Sequence, residues 1–321
     1  MAIVYHPEKV RFDALRRAVE QAESEGGWAP TRWYETTVED PGPGFVRQAL
    51  ADGCDVVAAA GGDGTVRAVA ETLRGTGIPI ALIPQGTGNL LARNLGLPLV
   101  GTAALDSAVR VAFGEHERRI DMGIAVVTRA DGSVEEHGFL VVAGIGLDAA
   151  MIQNTPPELK RRIGWLAYFG GIARSIPSAE RFRVHFRLDR GPARSLVAHS
   201  VVAANCGVVG PGLTMAPEAA IDDGLLDVAA IRPRSALGWL RISSMVVIDN
   251  GILRRTTIGR RIADRRSESV RDVVYEQTAS ARLLVNAPIA FEVDGDELGE
   301  IVGAHVWVDP RSLRVKALSQ E

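Results

Sequence analysis

The sequence predicts an α/β half followed by a β half. Two observations carry that reading. Residues 55–98 run DVVAAAGGDGTVRAVAETLRGTGIPIALIPQGTGNLLARNLGLP: two apolar stretches of strand length, each ending in a glycine cluster that opens a segment of helical spacing. That is the pattern of a parallel sheet buried between helices. Around Asp121 the helical period gives way to alternation, with Ile120, Met122 and Ile124 on one side of an extended chain and Asp121 on the other. From there to about residue 230 the chain reads mostly as strands separated by polar turns, as an antiparallel β-sandwich does. The boundary falls near Asp121, with an open α/β domain over 1–121 and a β-sandwich domain over 122–304. The last strands, about 305–321, return to the first domain.

Each element has its own signal. Residues 2–5 (AIVY) form a short apolar strand, and His6-Pro7 turns the chain into a helix over 11–24. Residues 31–37 (TRWYETT) are β-branched and aromatic, hence a second strand, which Asp40-Pro41-Gly42-Pro43-Gly44 breaks before a helix over 45–51. Strands over 55–60 and 78–84, with helices over 66–73 and 90–95, make the two glycine-turn units, and a helix over 101–113 follows. In the β half strands are expected over 123–128, 138–143, 182–188, 199–205 and 226–231, with Asp131-Gly132 the clearest hairpin turn. Residues 235–271 read as a helical insert that gathers Arg254, Arg255, Arg260, Arg261, Arg265 and Arg266. The closing strands are 306–308 and 315–318.

Bulk properties exclude several classes. With 46% hydrophobic and 23% charged residues over 321 positions, the chain has enough apolar surface to fold rather than stay disordered. A net charge of −3 offers no general attraction to nucleic acid. Cys54 and Cys206 stand alone, so neither a disulfide framework nor a zinc cluster is expected, and the usage suits a reducing cytosol. Residues 1–10 lack a signal-peptide pattern, and no run approaches the ~20 apolar residues that span a bilayer. A membrane, if one is involved, is met at its surface.

The glycine turns carry the chemistry. Gly61-Gly62-Asp63-Gly64-Thr65 and Gln85-Gly86-Thr87-Gly88-Asn89 each follow a strand and precede a helix. Glycines let backbone N–H groups close on an anion, and the helix N-terminus adds partial positive charge, so the pair makes a phosphate site. Neither turn is a GxxxxGK[ST] loop or a GxGxxG turn.

GGDGTV and PQGTGNLLARNLGLP, followed by RIDMG at 119–123, GIGLDA at 144–149, AP-x-A before DDGLLD at 216–227 and VDGD at 293–296, resemble the diacylglycerol kinase catalytic-domain family. That family includes bacterial lipid kinases and the sphingosine and ceramide kinases. The resemblance spans nearly the whole chain, with the motifs in the expected order. GGDGT alone is shared with NAD kinases.

The resemblance implies a nucleotide-binding α/β domain, a β-sandwich, and a kinase that moves the γ-phosphoryl of ATP to a lipid hydroxyl with Mg²⁺. Diacylglycerol, giving phosphatidic acid, is the first acceptor to expect. It places the protein in the cytoplasm, peripheral at the inner face of the membrane, with a homodimer left open. On this sequence it puts Gly61, Gly62, Asp63, Gly64 and Thr65, with Thr87, Gly88 and Asn89, on the ATP phosphates. Lys9 adds a phosphate-facing charge, and Thr37 (with Thr36 as runner-up) touches nucleotide. Asp63 and Asp121 organise the catalytic Mg²⁺, and Arg93 stabilises charge on the transferred group or holds the aspartates. Asp294 or Asp296 takes the proton from the lipid hydroxyl, with Asp63 as a competitor. Asp223, with the carbonyls of Ala220 and Leu225, holds a structural Mg²⁺. Three positions depart from the family pattern: His6 replaces an asparagine, Leu90 an aspartate and Asp296 a glutamate. Leu90 cannot ligate a metal, which shifts that load to Asp63 and Asp121. Two basic segments, 160–169 and 254–266, are the expected contacts with anionic lipid. A soluble-substrate kinase of the NAD kinase type and a non-catalytic lipid-binding regulatory protein are the alternatives.

Overall fold

The computed structural model describes residues 1–100, 103–146, 181–210, 213–214, 216, 219–233 and 273–319. The segment 160–169 and the arginine-rich insert lie outside the described residues, as does the second half of GIGLDA.

The first half alternates strand and helix: β1 (Ala2–Tyr5), α1 (Phe12–Gly26), β2 (Arg32–Glu35), α2 (Pro43–Ala51), β3 (Val57–Gly61), α3 (Asp63–Leu73), β4 (Ile80–Pro84), α4 (Leu90–Asn94) and α5 (Ala104–Phe113). The strands run parallel in the order β2-β1-β3-β4, with Ala2 opposite Val57 and Val57 opposite Ile80. Both faces are covered, which explains the unbroken apolar runs. Ile3, Ala58 and Ala81 pack with Leu15, Val19 and Val109 of α1 and α5. Val4, Ala59 and Leu82, one residue on, pack with Val46, Val69 and Leu73 of α2 and α3. Strand order reverses between β1 and β3, the position where open α/β sheets take ligands beyond their strand C-termini.

The second half is antiparallel: β5 (Glu117–Thr128), β6 (Val134–Phe139), β7 (Val142–Gly146), β8 (Phe182–Leu188), β9 (Arg194–Ala198), β10 (Ser200–Ala204), β11 (Val208–Gly210), β12 (Leu213–Thr214), β13 (Leu226–Ile231), β14 (Val273–Thr278), β15 (Ser280–Val293) and β16 (Asp296–Lys316). A separate core, including Phe139, Ile145, Val184, Phe291, Val293 and Val306, lies between its layers. The two halves share one sheet. Its order, β14-β13-β10-β7-β15-β16-β4-β3-β1-β2, passes through β16. That strand pairs with β15 from Val293↔Asp296 to Ser280↔Trp307, with β5 from Gly303↔Thr128 to Lys316↔Glu117, and parallel with β4 at Val315↔Ile80.

Three local readings change. The first glycine turn is shorter than 61–65, because α3 already begins at Asp63, whose charge suits a helix N-terminus. The strand expected over 138–143 breaks at Leu140 and Val141, whose N–H groups bond to a carboxylate instead of a neighbouring strand. Asp121, outward by alternation, is fully buried. β5 runs straight through that position.

Candidate functional site

β3 and β4 end level, Gly61 opposite Pro84, so their two glycine turns face each other. The contact is backbone on backbone. A Cβ on Gly86 would fall 2.7 Å from Gly62 Cα. Asp63 then ties the second turn to the first, accepting from Asn89 N at 2.9 Å and Leu90 N at 2.6 Å. A Cβ on Gly88 would come within 2.5 Å of the same carboxylate. Asn89, left-handed at φ 48°, closes its own turn by accepting from Gly86 N at 3.0 Å and donating to Gly86 O at 2.7 Å. Burial pushes the Asp63 carboxyl above its usual range; the two amides pull it down, and Asp296 nearby pushes it up.

Other predicted residues gather at the same strand ends. Lys9 reaches over the first turn, its Nζ 3.3 Å from where a Gly62 Cβ would stand. His6 contributes backbone: its N–H donates to Ala60 O at 3.0 Å and its carbonyl accepts from Lys9 N. Thr65 is buried in the first turn of α3, and Thr87 is exposed on the second glycine turn. Arg93 holds neither aspartate. Its Nε donates to Gly88 O at 2.6 Å and Nη2 to Thr87 O at 3.5 Å, so it braces the turn from behind. Thr37 Oγ1 accepts from Asp40 N at 3.0 Å, closing the loop after β2, and Thr36 is buried.

The β half contributes one hairpin tip. Val293 pairs with Asp296 across Asp294-Gly295, whose φ values of 49° and 88° make the two-residue turn that Asp-Gly favours. Asp294 is buried and accepts from Leu140 N at 2.8 Å and from Val141 N and Val142 N at 2.9 Å. Burial pushes it up to about 6 against the pull of those amides. Asp296 lies on the open side, 3.2 Å from where a Gly64 Cβ would stand, and takes a 2.7 Å bond from Arg67 Nη2. Of the paired carboxylates, one fastens the hairpin and the other faces α3.

Asp121 and Asp223 mark the joint between the halves. Asp121 accepts from Gly224 N and Arg311 N, each at 2.7 Å, so its carboxylate is turned to the backbone of the Asp222-Asp223-Gly224 turn and of β16. Asp223 is exposed and accepts from Leu225 N at 2.9 Å, while Asp222 takes a 2.8 Å ion pair from Arg118. Ala220 and Leu225 are half-buried beside it. An apolar hollow in the β half is lined by Val184, Phe186, Leu196, Val201, Val228 and Leu283.

Sequence reasoning missed Arg67 and Asn94. Arg67 could have been found, since it lies four residues past Asp63 and so on the same helix face. Asn94 exchanges bonds with Val208 (Nδ2 to O at 2.8 Å, Val208 N to Oδ1 at 3.0 Å), pinning α4 to the β half. No signal in the sequence pointed to it.

The diacylglycerol kinase catalytic domain family matches residues 8–125, and the YegS C-terminal NAD kinase beta sandwich-like domain matches 141–317. A Pseudomonas fluorescens protein named "Probable lipid kinase YegS-like" is 32% identical over 265 residues, 78% of this chain and 80% of that one. A Mycobacterium tuberculosis protein named diacylglycerol kinase is 32% identical over 197 residues, 60% of each chain. The chain spans 56% of the length of an uncharacterized Synechocystis relative, 28% identical over 84% of this chain. A Bacillus anthracis crystal structure shares the fold, with a TM-score of 0.72 at 19% identity, covering 99% of this chain and 94% of that one. Facing glycine turns, a carboxylate hairpin closing on them, and these matches along nearly the whole chain lead to one conclusion: the chain belongs to the YegS-like lipid kinase family of enzymes, with a diacylglycerol kinase catalytic domain in its first part.

Proposed function

We propose that this protein transfers the γ-phosphoryl group of ATP to the hydroxyl of a membrane lipid, diacylglycerol giving phosphatidic acid. One observation carries the reading. The glycine turns that face each other at the ends of β3 and β4 come from one half, and the half-open carboxylate that meets them comes from the other. Phosphoryl transfer asks for little else than a positioned nucleotide, neutralised charge and an oriented alcohol.

In this reading the roles divide among the residues at the strand ends. Backbone amides of Gly62, Gly64 and Thr65, with Thr87 and Gly88, would take the phosphates, and Lys9, its Nζ 3.3 Å from where a Gly62 Cβ would stand, would add a cation there. Asp63 keeps the two turns in register, and Arg93 keeps the second turn's carbonyls away from the anion. The lipid oxygen attacks the γ-phosphorus as the bond to the β-phosphate oxygen breaks. Its proton passes to Asp296, whose side chain is 50% exposed, whereas Asp294 is enclosed by three amides.

Magnesium fits this donor set in a limited way. Among the described residues no group of three or more His, Cys, Asp or Glu side chains gathers to hold a metal. Asp63 offers oxygen donors only, the chemistry that suits magnesium, and is the residue that would hold the ion beside the glycine turns. When bound there, Mg²⁺ supplies charge neutralisation on the phosphoryl oxygens. Asp121 serves the joint rather than that ion. Asp223, with the carbonyls of Ala220 and Leu225, is the place for a structural ion.

Among the described residues no helix is long and apolar enough to cross a membrane. In this reading the enzyme works from the cytoplasm, at the inner face of the bilayer. The test is a thin-layer assay with γ-labelled ATP and a panel of diacylglycerol, sphingoid base, ceramide, polyprenol and NAD. Label in a lipid spot is the expected result. Label in NAD alone would make the protein a soluble-substrate kinase, and label in nothing would make it a non-catalytic member.

A further inference from the structure

Arg67 has no role in the scheme above, yet it makes the contact through which the two halves meet at the candidate site. It lies on α3 one turn past Asp63, and its Nη2 donates to Asp296 Oδ2 at 2.7 Å across 229 residues of sequence. The two partners are unequally enclosed. The arginine side chain is 14% exposed and the carboxylate 50%. Arg67 is therefore the fixed member of the pair, and Asp296 keeps an open side for a third group.

The charges around it agree with that arrangement. Burial raises the Asp294 carboxyl and Arg67 opposes that rise, so the guanidinium that bonds Asp296 also acts on the second carboxylate of the hairpin tip. Asp63 begins α3 and Arg67 follows on the same helix, so the helix that shapes the phosphate turns also grips the hairpin tip. A slip of the hairpin against α3 would move Asp296 relative to everything the glycine turns hold.

We propose that Arg67 is a positioning residue for the transfer. It holds one oxygen of Asp296 and so aims the open oxygen at the acceptor hydroxyl. The inference rests on reading Asp296 as the proton acceptor. Misplacing a reacting group by about 1 Å costs on the order of 10²-fold in rate.

Wild type, Arg67→Gln, Arg67→Lys, Asp296→Asn and the double variant Arg67→Gln/Asp296→Asn are compared on the lipid phosphorylated in the panel assay, with melting temperatures measured alongside. Arg67→Gln should lower kcat by about 10²-fold with KM for ATP unchanged. Arg67→Lys, which keeps a donor and a charge, should recover part of the loss. In the Asp296→Asn background Arg67→Gln should cost nothing further, because both changes act through one group. Wild-type kcat in Arg67→Gln, or full additivity in the double variant, overturns the proposal while leaving Asp296 as the base. A loss in Arg67→Gln that tracks a fallen melting temperature and is not eased by Lys also overturns it. Full turnover by Asp296→Asn removes the reading on which the proposal stands, and the proposal with it.

Discussion

Gly86 has no room for a side chain, and the obstacle is another backbone. A methyl group there would meet Gly62 Cα at 2.7 Å, so neither partner can swing aside. Gly86→Ala should force the turns apart, raising KM for ATP about tenfold or more and costing about 1–3 kcal/mol of stability. Kinetics and a melting curve check this, and wild-type ATP affinity would mean the facing turns are not the phosphate site. The glycines were legible in the sequence because a strand-length apolar run stopped at each cluster. The bonds of Asp63 were not. Nothing local shows that its carboxylate accepts from Asn89 and Leu90 in the next unit. Leu90, read as a lost metal ligand, takes part through its amide.

The β15–β16 hairpin is the element that carries acid into the site. Its turn was legible, since Asp-Gly between paired strands favours two positive φ values. Its anchor was not, because the three amides that hold Asp294 belong to the distant break between β6 and β7. Burial raises Asp294 from 3.8 to about 6. A folded-state value above the unfolded one means stability that is fully present below pH about 4 and lost as pH rises through about 6. At 1.36 kcal/mol per unit the swing is about 3 kcal/mol. Urea unfolding of wild type and Asp294→Asn should therefore show wild type losing about 2–3 kcal/mol relative to the variant between pH 4 and 7. A difference that stays flat would mean the carboxyl titrates at its ordinary value in the fold.

At the scale of the whole molecule, Asp121 is where the halves are fastened. It fixes the DDG turn through Gly224 and the irregular stretch of β16 through Arg311, with no exposure to solvent. Alternation along β5 set it opposite its apolar neighbours, and only the chain folding over from both sides could bury it. Asp121→Ala leaves the half-buried Gly224 amide and the Arg311 amide without their carboxylate and should cost about 1–3 kcal/mol, equally with and without Mg²⁺. A loss confined to Mg²⁺-containing buffer would return Asp121 to the ion. The parallel order of the first half and the alternation of the second were both open to reading. The last strands were expected to return to the first half, but nothing local showed that β16 would join both halves in one sheet through Val315 and Ile80.

That pairing bears on how the protein is made. β4 gains its outer neighbour from β16, so the parallel sheet keeps a bare apolar edge, IALIP, until residues near 315 have left the ribosome. The half synthesised first therefore emerges with β4 as an uncovered edge, and its sheet is completed only by the last strand to be made. The nascent chain carries an adhesive strand through translation of the whole β half. A premature stop or a clip before β16 ends would thus do its first damage at the other end of the polypeptide, where the glycine turns lie.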